Sequence, residues 1–143
     1  MNEVMATEIR TELSKRSEYY IPKHRYLELY HFCLQYKDWV DDYNSLSGLS
    51  NRPASLGLFR KYRGYSNPTE KMALIKCDLA QRINLVNDVA ECVGGDLAEY
   101  LLRGVTEKLS YNELRLHYGI PCCKDVYYKM YRQFFFALDM ERD

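Results

Sequence analysis

A chain of 143 residues, 47% hydrophobic and 28% charged, is long enough for one globular domain with a real core and too apolar to be disordered. Its 20 Lys and Arg offset its 20 Asp and Glu, so no global field draws it to nucleic acid or membrane, and any such binding must use a local patch. No apolar run approaches the roughly 18 residues of a membrane span, and "MNEVMATEIRTELSKRSE" mixes acids and bases where a secretory signal has a basic start and an apolar stretch; a cytoplasmic protein with no membrane partner is expected.

The few prolines and glycines fall between segments whose apolar residues recur at helical spacing, and no run alternates as a strand would, so an all-α helical bundle is expected. Residues 1–18 read as a charged N-terminal arm with Val4, Ile9 and Leu13 as its apolar positions. Residues 19–46 predict one long helix opening after Pro22, with Tyr26, Leu29, Tyr30, Cys33, Tyr36, Trp39 and Val40 along one side. That tyrosine-rich stripe is wide enough to suggest a homodimer.

Residues 47–66, "SGLSNRPASLGLFRKYRGYS", hold no acid and four cations, Arg52, Arg60, Lys61 and Arg63, interleaved with Phe59, Tyr62 and Tyr65. They read as a basic loop or linker, either simply solvated or following a phosphate backbone.

Residues 67–143 read as a helical domain. "SNPTEKMALIKCDLAQRINLVNDVAECVGG" carries a helix start at Ser66 or Asn67, Pro68 just inside, and a stop at Gly94 and Gly95. Its inner stripe is Met72, Ile75, Leu79, Ile83, Val86 and Ala90. Three closely spaced helices follow, over about 96–108, 110–118 and 121–140. Ser110 and Glu113 form a capping box that starts the middle one.

The last two have the internal spacing of a helix-turn-helix over about 110–136. Leu114 faces inward, Gly119 relieves the turn, Ile120 plugs the angle and Pro121 opens the second helix. On that helix Val126, Met130, Phe134 and either Ala137 or Leu138 are expected inside. Cys123, Lys124, Tyr127, Tyr128, Lys129, Tyr131 and Arg132 are then shared between flank and solvent, and Lys124, Tyr127, Tyr128, Lys129 and Arg132 form a cationic and aromatic candidate set suited to phosphates and base edges of double-stranded DNA. Asp125 either favours the helix dipole or hinders phosphate approach. Packing alone would also place two short helices around a glycine.

"YYIPKHRYLELYHFCLQYKDW", "NPTEKMALIKCDLAQRINLV" and "LSYNELRLHYGIPCCKDVYYKMYRQFFFALD" together resemble the small prophage-encoded proteins of Firmicutes grouped with the RinA and ArpU late-gene transcriptional regulators, whose C-terminal part is similar to region four of sigma factors. The resemblance spans roughly Tyr19 to Asp139. It implies a DNA-binding transcriptional regulator that reads promoter DNA through its last helix, with Lys124, Tyr127, Tyr128 and Arg132 at the matching positions. The chain departs from the family pattern at "IPCC", where Ser or Thr followed by Arg usually opens the reading helix. A second expectation is a phage-encoded protein-interaction module that inhibits or redirects a host enzyme, RNA polymerase or a CRISPR-type defence nuclease.

Catalytic chemistry finds little support. His24, His31 and Cys33 share a helix with no third ligand at metal spacing, so no metal is expected. Asp41 and Asp42 are neighbours that point apart, and no phosphate- or dinucleotide-binding glycine motif occurs, so neither an enzyme nor a cofactor is expected. The five cysteines, Cys33, Cys77, Cys92, Cys122 and Cys123, form an odd set without a C-x-x-C pair and read as reduced thiols. The start of a helix beside Lys124 favours thiolate at the Cys122 and Cys123 pair, but no partner base accompanies it.

Overall fold

The computed structural model describes residues 18–46, 64 and 67–142. They are all-α: helices α1 (Lys23–Leu34), α2 (Tyr36–Leu46), α3 (Pro68–Gly94), α4 (Ala98–Glu107), α5 (Tyr111–Tyr118) and α6 (Lys124–Glu141), with a 3-10 turn at Gly95–Leu97 and no strand among the described residues. None of these helices is long and apolar enough to cross a membrane. The N-terminal arm and the basic loop, with Arg52, Arg60, Lys61 and Arg63, lie outside the described residues.

The chain forms two compact units. One joins the residues up to Leu34 with those from Val86 onward; the other runs from Gln35 to Leu85. The single helix expected over 19–46 is corrected to two, separated at Gln35, whose carbonyl accepts the Trp39 N–H at 3.0 Å to begin α2. Each half follows its own packing: Tyr26, Leu29, Tyr30, Phe32 and Cys33 are buried in α1, Trp39 and Asp42 in α2.

In the Gln35 to Leu85 unit, Ile75 and Leu79 of α3 are fully buried, Arg82 lies over the Trp39 ring and Lys76 over that of Tyr43. The start of α3 is capped as its sequence suggests. Asn67 Oδ1 accepts the N–H groups of Thr69 and Glu70 at 3.0 and 3.4 Å, satisfying donors that a helix leaves open in its first turn.

In the other unit α1 packs against α4 and α6, while α5 packs against α4 and α6. Tyr26, Leu29, Tyr30 and Cys33, the α1 part of the tyrosine-rich stripe, are buried. The Tyr26 and Tyr131 hydroxyls meet at 2.5 Å, and Tyr26 stands edge-on to Phe135 with ring centres 5.1 Å apart. Such pairs let bulky amphipathic rings serve as core, because each polar tip finds a partner. Outside the rings, Arg25 bonds Asp139 at 2.5 Å and Glu28 at 3.1 Å, and Arg142 lies 3.9 Å from the Phe32 ring centre. The Asp139 carboxylate, chiefly, raises the pKa of Arg25, although burial opposes it. The Arg25–Asp139 pair ties α1 to the far end of α6, whereas Arg25–Glu28 lies within α1; both are partly solvated, so each contributes under about 1 kcal/mol.

Ser110 caps α5 by accepting the Glu113 N–H at 3.3 Å. Ser110→Ala is expected to lower stability by about 1 kcal/mol, measured by urea unfolding. Ser110→Gly should cost only a few tenths.

Candidate nucleic-acid interface

α5 ends on Gly119, whose φ of 65° is left-handed and whose N–H bonds the Arg115 carbonyl at 3.2 Å. A residue with a Cβ resists that conformation, which is why glycine stands where the chain leaves α5. Ile120 then turns inward and is buried with Leu114 between the helices. The chain passes through Pro121 and Cys122 before Cys123 takes the N-cap position of α6, without a side-chain capping bond. Tyr111 braces this passage: its hydroxyl donates to the Cys122 carbonyl at 2.6 Å and accepts from Arg115 at 3.2 Å. The junction is therefore held by specific bonds as well as by apolar packing.

The rotation of α6 differs from the expected one. Tyr127, Met130, Tyr131, Phe134, Phe135 and Leu138 are buried. Tyr127 is only 1% exposed, whereas Val126 is 46% exposed. Tyr127 is accordingly corrected from a reading residue to a core residue, and Val126 from core to surface. The physical reason is packing: the Tyr127 ring lies among Tyr111, Tyr128 and Tyr131, with ring centres 6.0, 5.1 and 6.2 Å away, and its hydroxyl end fits against Gly104 of α4. A glycine opposite makes room for a whole phenol that valine would not fill.

Of the other expected site residues, Lys124 and Lys129 are exposed, and Tyr128 and Arg132 are half-buried. Lys124 extends its ammonium to 6.0 Å from the Tyr128 ring centre, and the Tyr128 hydroxyl accepts the Tyr111 N–H at 3.5 Å. Tyr128 thus links the start of α5 to the first turns of α6 and offers only part of its surface. Asp125 is exposed beside Lys124.

The structure adds neighbours that the sequence reading did not select. Arg115, His117, Leu116 and Tyr118 are exposed on α5, and Leu116 is 81% exposed. Arg103 lies 4.5 Å from the Tyr118 ring centre and within 3.6–3.7 Å of Glu99 and Glu107. The signal for Arg115 is its place one turn after Tyr111, since residues four apart on a helix are neighbours. The expectation of favoured thiolate fails at Cys122: burial, and secondarily Cys123, pushes its thiol pKa upward.

Lys124 and Lys129 are thus exposed on a helix whose buried residues form an aromatic core, and Arg115 is exposed on the preceding helix. Such a surface offers mobile cationic donors on a rigid support, chemistry suited to phosphate oxygens and purine edges. No protein-family model, curated protein or solved structure matches the chain.

Proposed function

We propose that the chain is a phage-type DNA-binding transcriptional regulator in which α5 and α6 act as a helix-turn-helix and α6 enters a major groove of promoter DNA. One observation carries this reading: the first turns of α6 leave Lys124 and Lys129 exposed, while Tyr127, Tyr131 and Phe134 are buried and anchor the helix. A reading helix needs this division, because its position on the duplex is only as defined as its packing on the protein. The resemblance to the RinA and ArpU regulators supports the same assignment.

In this reading Lys124, Lys129, Arg132 and Arg115 meet phosphates or guanine edges, and Tyr128 contributes its partly exposed ring. Arg52, Arg60, Lys61 and Arg63 supply further phosphate contacts. Tyr127 acts by holding α6 in place. Asp125 disfavours close phosphate approach but is able to accept from a cytosine amino group.

Fluorescence anisotropy on promoter-containing duplexes tests the assignment. Lys129→Ala and Arg132→Ala are expected to weaken binding, each lowering the log–log salt slope by about one if its lost contact is to phosphate. Unchanged affinity in both variants would remove α6 from the interface.

A second reading rests on the exposed Leu116 and Val126, which give the same helix pair an apolar element. As a protein-interaction module the chain would dock this face on a host enzyme such as RNA polymerase or a defence nuclease. An apolar interface of that kind changes little with salt, whereas phosphate binding weakens steeply.

A further inference from the structure

Cys122 and Cys123 line one open concavity of about 540 Å³ with Arg115, Gly119, Ile120 and Pro121. Their backbone is anchored on both sides: Tyr111 bonds the Cys122 carbonyl at 2.6 Å, and the Cys123 carbonyl accepts the Tyr127 N–H at 3.1 Å. Cys123 is exposed, Cys122 is half-buried, and both are free thiols. The junction therefore offers two adjacent free cysteines on one fixed peptide, both lining the concavity.

A direct bond between these sulfurs is disfavoured. Consecutive Cα atoms are about 3.8 Å apart, below the roughly 4.4 Å at which ordinary disulfides begin. An atom inserted between the sulfurs relaxes that demand, because it bridges a wider gap through two bonds. We propose that Cys122 and Cys123 form a dithiol site that chelates a soft trivalent arsenical across the turn before α6.

The chemistry balances without an oxidant. With an organoarsenic(III) oxide, two As–S bonds form, the As–O bonding is lost, and the oxygen leaves as water with the two thiol protons. Arsenic remains trivalent and the product is a neutral ring. Cys77 and Cys92 are exposed single thiols without a cysteine beside them in sequence, and Cys33 is buried. They are suited to single-sulfur adducts, which a competing monothiol displaces more readily than a chelate.

The test uses the full chain, phenylarsine oxide and excess glutathione, read by intact-protein mass spectrometry. The wild type should retain one phenylarsenic group per chain, released by dimercaptopropanol. Cys123→Ser, an exposed change that leaves the packing undisturbed, and Cys122→Ser should each lose it. The Cys77→Ser, Cys92→Ser double variant should keep it. Loss of the wild-type adduct to glutathione, or its full retention in Cys123→Ser, would overturn the site. Circular dichroism on each variant separates lost chelation from lost folding.

Discussion

Gly104→Ala should destabilise the protein by about 1–3 kcal/mol, even though alanine is the better helix former by about 1 kcal/mol. A Cβ at position 104 would overlap the Tyr127 hydroxyl, with the phenol carbon behind it at 3.2 Å and a Leu114 methyl at 3.4 Å. The ring has little room to retreat, because Tyr111, Tyr128 and Tyr131 surround it and it is 1% exposed. Tyr127→Phe alone keeps the buried ring and should stay within about 1 kcal/mol of the wild type. In the Gly104→Ala background the same change should restore stability, since it removes the overlapping atom. Urea unfolding of the four proteins gives the coupling; a Gly104→Ala variant as stable as the wild type would show that the ring and the glycine do not meet.

Phe135→Ala is expected to cost about 3–5 kcal/mol, a large part of the stability of a small domain. Phe135 is fully buried, with ring centres 5.1 Å from Tyr26, 4.9 Å from Tyr131 and 5.1 Å from Phe134. Its loss opens a cavity where α1 meets α6. Val126→Ala should stay within about 0.5 kcal/mol because that side chain faces solvent. Thermal unfolding of the two variants measures the rotation of α6 directly. A costly Val126→Ala beside a mild Phe135→Ala would return the helix to the rotation its aliphatic residues suggest.

That contrast explains how far the fold was legible in the sequence. Asn67 and Ser110 were recognisable because a cap is a local contract between a side chain and the N–H groups just beyond it. Gly119 was recognisable for the same reason, as a backbone need met by one residue type. The break at Gln35 had no such mark, since no glycine or proline lies there. The rotation of α6 was misleading because tyrosine reads as polar or apolar according to where its hydroxyl goes. Tyr131 reaches Tyr26 across 105 residues, and Tyr127 reaches Gly104, so neither partner lies within any local window.

The candidate site was legible in part. Of the expected residues, Lys124 and Lys129 are exposed, Tyr128 and Arg132 half-buried, and Tyr127 buried. Charged side chains report exposure more faithfully than phenols do, because an unpaired buried charge costs far more than a buried hydroxyl. Arg115 carried only the local signal of standing one turn after Tyr111; the bond from Tyr111 to Cys122 that places both beside the turn had no pattern in the sequence.

The central claim, that the outer side of α6 engages DNA, is tested most directly by the salt dependence of duplex binding. The measurement compares the wild type with a Lys124→Ala, Lys129→Ala, Arg132→Ala variant across a series of salt concentrations. The wild type should lose affinity steeply, and the log–log slope of the variant should be shallower by up to about three as phosphate contacts disappear. Wild-type protein that shows no salt-sensitive binding to any promoter-containing duplex, or a variant with the same slope, would contradict the claim.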